Sequence, residues 1–404
     1  MRKEIVSIIS LLIIFTSCKR ENIVNHVFGQ KNILSSSPYL TKDKNGAIIL
    51  SWVEEDTAHQ KSQLYYSVSK DGGKTFSNEK LIAAASGVDT HGENLPKIIC
   101  VGDEWIAAYG TDNPNPQNAY AGLVYYTQSF NEGKTWQPAQ RLVKDTASYD
   151  QRYFAMALLP DGNIGITWMD SRGKTKPEGS TLYFAETTGH KGFQQERSLS
   201  YNLCPCCRTD LITDANKNIH IAFRQIIDDS IRDMMHIIST DNGKTFSSPK
   251  RISADNWVVN ACPHSGPSMV QNKYGLHFAW FPLGGGEGIF YCHSDDNGNT
   301  FSQRESVSDN AFAKHPQMAA LPDGRLVITW DEFPKHNAKA RDQIGVQLRS
   351  ANGKVIRTFY TGDKDFNASF PVIREINNNE ILIAFTEQNN AAARIKCERI
   401  LLGK

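Results

Sequence analysis

The chain has 404 residues, with 44 basic against 43 acidic, 40% hydrophobic and 10% aromatic. A net charge near zero gives no global field for polyanions, which argues against a nucleic-acid partner. No long helical periodicity, low-complexity tract or interdomain linker breaks the pattern, so composition and length predict a single large all-β domain.

In chain order, Arg2 and Lys3 precede an apolar run from Ile5 to Phe15, followed by Thr16-Ser17-Cys18. The run is too short to span a bilayer and has the layout of an export signal. The small residues before Cys18 are similar to a bacterial lipobox with Phe15 in the usual leucine position. That implies residues 1–18 as a lipoprotein signal peptide and Cys18 as the lipidated mature N-terminus; cleavage near Ser17 is the alternative. The expected location is the bacterial cell envelope, lipid-anchored, in the periplasm or at the surface. Loss of Arg2, Lys3 and Glu4 leaves 42 charges of each sign. Residues 19–27 read as a tether and 28–404 as the domain.

Within the domain one turn sequence occurs four times: Ser69 to Phe76, Ser129 to Trp136, Ser239 to Phe246 and Ser294 to Phe301. Its form is Ser-x-Asp/Asn-x-Gly-x-Thr-aromatic. Asp or Asn bonds the turn backbone, Gly supplies positive φ, and the aromatic packs under the hairpin. Degenerate copies fall at Ala185 to Phe193 and Arg349 to Lys354. A second repeat is an alternating apolar run ending in an aromatic at Trp52, Tyr109, Trp168, Phe223, Trp280, Trp330 and Phe385. Period-two alternation predicts strands, and a repeat of fifty-odd residues predicts an array.

The turn resembles the Asp-box (BNR repeat) of the sialidase superfamily. That resemblance implies a β-propeller of four-stranded blades. The landmark aromatics predict seven blades; six, as in active sialidases, is the alternative. The last unit lacks a fourth strand, and residues 28–34 resemble the fourth strands Phe76 to Ile82 and Phe301 to Val307. They are expected to close the ring as the outer strand of the blade at 366–402.

Propeller topology sends the Asp-box turns to one face, and the second-to-third-strand loops and the connections between successive blades to the other, around the pore. That pore face is the expected ligand funnel. It gathers His91, Glu93, Asp112, Arg152, Tyr153, Asp170, Arg172, Cys204, Cys206, Cys207, Arg208, Asp210, Arg224, Cys262, His264 and His315. The resemblance implies three arginines gripping a substrate carboxylate, an aspartate acid and a tyrosine nucleophile. The stretch Ser35 to Leu40 lacks the early arginine of that set. Arg152, Arg172, Arg208 and Arg224, with Glu93 and Asp210, are the candidates for ligand binding, or for bracing the funnel by pairing with loop carboxylates. Asp112, Asp170 and Tyr153 are the catalytic candidates. The implied activity is binding or hydrolysis of a carbohydrate or another small anionic ligand.

Cysteine and histidine offer a second chemistry on the same face. Cys204-Pro205 and Cys262-Pro263 occupy matching places on adjacent units, so a disulfide between Cys262 and one of Cys204, Cys206 or Cys207 is one expectation. The other is a soft metal, copper or zinc, held by these cysteines with His91, His264 and His315, on a non-catalytic propeller serving as a binding or assembly scaffold.

Overall fold

A computed structural model describes residues 24–30, 32–173, 179–259, 261–335 and 341–403; the signal segment and Cys18 lie outside the described residues. The described residues form 28 strands and one short 3-10 turn, Gly189–Lys191, and no helix among them is long and apolar enough to cross a membrane. The strands pair antiparallel in five four-stranded sheets and one eight-stranded sheet. In chain order they make seven sets of four: 34–86, 97–141, 151–203, 210–251, 268–308, 314–361, and 367–401 together with Val24–Phe28. A single residue pair, Leu203 with Gln225, joins the third and fourth sets into the larger sheet. The architecture is a multi-blade β-propeller.

The second strand of each set carries the landmark aromatic, and all seven aromatics are buried. These strands read as nearly continuous apolar runs, such as Ile48-Ile49-Leu50 before Trp52, because both faces are covered by neighbouring sets. The core is accordingly divided. One apolar cluster fills each junction between successive sets, and another, with Leu40, Leu50 and Trp52 against Leu382, Ala384 and Ile395, lies between the last set and the first.

The strand that joins the last sheet is Val24–Phe28, which pairs with Ala393–Leu401 from Val24↔Arg399 to Phe28↔Ile395. This corrects the expected 28–34, and residues 24–27 belong to the sheet instead of a tether. Phe28 is the anchor shared by both registers. Its ring packs 5.2 Å from Trp52 and 5.1 Å from Phe76, and Gly29 (φ 115°) turns the chain toward the strand Leu34–Lys42.

The four repeated turns each join the third strand of a set to its fourth, and all four share one hydrogen-bond scheme. The Ser69 hydroxyl accepts from Gly73 N (2.7 Å) and donates to Asp71 (2.8 Å). Asp71 accepts from the Thr75 amide (2.9 Å) and hydroxyl (2.6 Å). The same bonds recur around Asp241 and Asp296, while at Asn131 the amide nitrogen donates to Thr135 Oγ1 instead. Gly133 has φ 75°, and a Cβ there would come within 2.8 Å of the Tyr66 hydroxyl, so the turn needs glycine both for its backbone and for its fit.

The first strands of all seven sets line one central cavity of about 450 Å³. Tyr39, Lys97, Ala157, Asp210, Met269, Gln317 and Arg374 mark the seven contributions. Because the strands are antiparallel, the segments leading into these first strands lie at the end opposite the repeated turns.

Candidate functional site at the channel mouth

Five of the seven first strands carry a proline, just before the strand at Pro96 and Pro267 and within it at Pro38, Pro316 and Pro371. Proline fixes φ and cannot donate a ladder bond, so pairing breaks there. In four sets the residue at the break has positive φ, namely Ser37 (56°), Tyr153 (57°), His315 (52°) and Phe370 (52°), and each sits in a β-bulge. His264 (47°) has the same backbone just before the fifth set. Positive φ costs a non-glycine residue about 1–3 kcal/mol and marks positions whose side chain is aimed by its surroundings.

Four of these five side chains, with His91, form one aromatic cluster. The His91 ring lies 5.1 Å from His264 and 5.8 Å, edge-on, from Tyr153. His315 stacks on Phe370 at 4.0 Å, and its Nε2 bonds the His264 carbonyl at 3.0 Å. Asp331 at a second-strand end accepts from His315 Nδ1 (2.8 Å) and from Phe370 N (2.7 Å), which fixes the stacked pair. His91 Nδ1 accepts from Glu93 N at 3.2 Å, so its Nε2 carries the proton. His264 Nδ1 is buried with no partner among the described residues. Burial, then the neighbouring His91, lowers the His264 pKa, and this imidazole is neutral at pH 7. Burial pushes the Tyr153 phenol well above its ordinary range, and it stays protonated.

Below this cluster Arg208 spans the opening. Its guanidinium pairs with the fully buried Glu93 and donates to the Pro316 carbonyl at 2.6 Å. Glu93 also accepts from Gly266 N at 2.9 Å. These partners come from the lead-ins of the second, fourth and fifth sets and from the first strand of the sixth, so the bonds cross the channel and give the mouth a floor. Lys97, on the channel side, donates to the Leu95 and Phe154 carbonyls (3.0 and 2.9 Å). Burial first, and then Arg208, bring its ammonium down to about 7, with Asp210 and Glu93 opposing. Burial raises Asp210, which accepts from Met269 N at 2.6 Å.

The remaining candidates separate from this cluster. Asp170 is fully buried under Ser148, the Trp168 indole (3.0 Å) and Arg172 (3.1 Å), with no room for a substrate. Arg172 is spent on Asp145, Asp170 and Glu196 and stacks on Tyr183. Arg152 grips Asp150 at 2.8 Å beside Tyr153, and Arg224 is buried against three carbonyls. Three of the four arginines are thus held by loop carboxylates and the fourth by carbonyls, and they do not converge on a common point. Asp112 lines the cleft of about 870 Å³ between the first two sets, with Glu55 and Asp89.

Cys204, Cys206 and Cys207 come together as free thiols with every Sγ within 4.8 Å of the others, a set able to hold a metal. Cys262 is exposed and outside this group, so the expected disulfide is not formed. The two ring nitrogens of His315 are both engaged by oxygens, which removes it from the metal-ligand set. Sequence reading missed Lys97, Phe370 and Arg374. A neighbouring proline, Pro96 before Lys97 and Pro371 after Phe370, is the signal that locates the first two.

No protein-family model matches the chain, and no curated protein matches it. Solved structures do. A protein of unknown function from Dyadobacter fermentans aligns at TM-score 0.56 and 15% identity, over 94% of this chain and 98% of the other. The polysaccharide lyase Uly1 aligns at TM-score 0.56 and 11% identity, over 96% and 94%. The NanB sialidase of Streptococcus pneumoniae aligns at TM-score 0.51 and 10% identity, over 93% and 94%. At these identities the likeness is one of fold: a sialidase-like β-propeller.

Proposed function

We propose that the chain is a lipid-anchored cell-envelope propeller whose seven four-stranded sets form a closed ring, and that it binds an acidic glycan at the channel mouth and cleaves it by elimination. The carrying observation is the His91–His264–Tyr153 cluster held on positive-φ backbone above the Glu93–Arg208 floor. A neutral imidazole beside a protonated phenol suits removal of a carbon-bound proton and protonation of a leaving oxygen. In this reading His264 is the base and Tyr153 the acid. Arg152 and Lys314 sit beside them to offset a uronate carboxylate, and Phe370 and His315 offer a flat face to a sugar ring. Likeness to both a polysaccharide lyase and a sialidase favours a sugar ligand. Hydrolysis with retention needs a carboxylate pair or an activated tyrosine, and the buried Asp170 and unionised Tyr153 fit that role poorly.

Incubation of the exported protein with a panel of uronate-containing polysaccharides, read by the ultraviolet absorbance of unsaturated ends, is the test. Product is expected, lost in His264→Ala, and lost with binding retained in Tyr153→Phe. Release of free sialic acid from a fluorogenic sialoside, or saturated products only, would overturn elimination; no binding to any member of the panel would overturn the glycan reading.

A further inference from the structure

Beside Cys204 lie two buried guanidinium groups without a carboxylate partner among the described residues. Arg224 and Arg232 are 1% and 7% exposed. Arg224 donates to the carbonyls of Arg232, Ser265 and Phe281, and its Nε has no acceptor. Arg232 donates to the Val259 carbonyl (2.9 Å) and to Cys204 Sγ (3.3 Å). Among the described residues neither is hydrogen-bonded to a carboxylate; the adjacent Asp233 is taken by Arg251. Unpaired buried charge is strongly destabilising. The balancing charge available here is sulfur.

The Cys204-Pro-Cys-Cys turn folds its three sulfurs inward. Cys206 and Cys207 Sγ lie 3.4 and 3.9 Å from Cys204 Sγ, and all three side chains are buried beside Ile226. No histidine, carboxylate or fourth cysteine atom joins them among the described residues.

We propose that Cys204, Cys206 and Cys207 form a three-coordinate, all-sulfur site for Cu(I). Thiolates without oxygen or nitrogen donors select a soft ion, and structural zinc would require a fourth ligand. Charge decides the valence. Three thiolates and Cu(I) carry two negative charges, which Arg224 and Arg232 offset; each thiol releases one proton as its copper–sulfur bond forms, and no electron is transferred.

The test is anaerobic titration of the reduced full-length protein with Cu(I) against a chromophoric cuprous chelator. One equivalent is expected to bind in competition with the chelator. Cys262→Ser keeps that binding, Cys206→Ser loses it, and Arg232→Met weakens it by about 10–100-fold. X-ray absorption of the copper-loaded wild type, which does not depend on any variant folding, should show sulfur neighbours alone. The proposal is overturned by a nitrogen or oxygen first shell, by Cys206→Ser binding like wild type, by preference for Zn(II), or by a disulfide between any two of the three cysteines in protein exported by cells.

Discussion

The two ends of this propeller satisfy their polar groups in opposite ways. At the repeated turns every acceptor and donor lies within four residues, as in Ser69, Asp71, Gly73 and Thr75. At the channel mouth Glu93 is satisfied by Arg208 and Gly266, 115 and 173 residues away. One end is built from local chemistry repeated four times, and the other exists only once the sets have met. The turns can therefore tolerate conservative exchange, while the mouth fails as a unit.

Removing the strand Val24–Phe28 should be the most damaging change, because it takes Phe28 from the Trp52–Phe76 contact and exposes the edge of Ala393–Leu401. Phe28→Ala alone should cost about 3–5 kcal/mol in denaturant unfolding. A deletion that unfolds like wild type would show that the last set needs no fourth strand.

The mouth comes next. Glu93→Gln leaves Arg208 buried without its counter-ion and should cost about 3–5 kcal/mol. The double change Glu93→Gln with Arg208→Met should recover most of that loss, a signature that purely local packing would not give. Additive losses in the cycle would mean that the pair does not act as a cross-brace.

Lys97 gives a smaller, pH-dependent effect. Its folded pKa is about 7, below the unfolded value, so the unfolded chain binds the extra proton between there and about 10.4. The destabilisation is fully present below pH 7 and is relieved as pH rises. Wild type should gain stability between pH 7 and 10 relative to Lys97→Met; parallel stability curves would contradict this.

The turns should give the smallest response. Asp241→Asn should change stability by less than about 1 kcal/mol, since Asn131 already serves in the same scheme. Asp241 and Asp296 have carboxyls held at about 2, chiefly by Thr245 and Thr300. Their contribution is present above pH 4 and fades as pH falls toward 2, and Asp241→Asn should lose that share of the acid dependence.

This contrast also explains what the sequence disclosed. The propeller, the four turns and the seven aromatic second strands were legible because each rests on neighbours a few residues apart. The same holds for Trp52-x-Glu54, Trp168-x-Asp170 and Trp330-x-Glu332, where the indole donates to the carboxylate two residues on (3.1, 3.0 and 2.7 Å). That short-range bond takes Asp170 out of the catalytic set, although its position on the pore face made it attractive. The fourth strand of the last set lies several residues from its expected place because Phe28 suits either register, and only pairing with Arg399 and Ile395 chooses. The three thiols that meet share one Cys-Pro-Cys-Cys turn, whereas the absence of Cys262 from their group depends on how two sets pack, and no spacing rule encodes it.

The recurring bulge at Ser37, Tyr153, His315 and Phe370 has an evolutionary consequence. One backbone kink presents a serine, a phenol, an imidazole and a phenyl ring in equivalent places, so the scaffold does not care which side chain is shown. Each position is an interchangeable socket at a bulge in a first strand, away from the second-strand aromatics that anchor the sheets. Ligand preference in such a propeller can be rewritten by point substitution at the sockets while the frame stays intact.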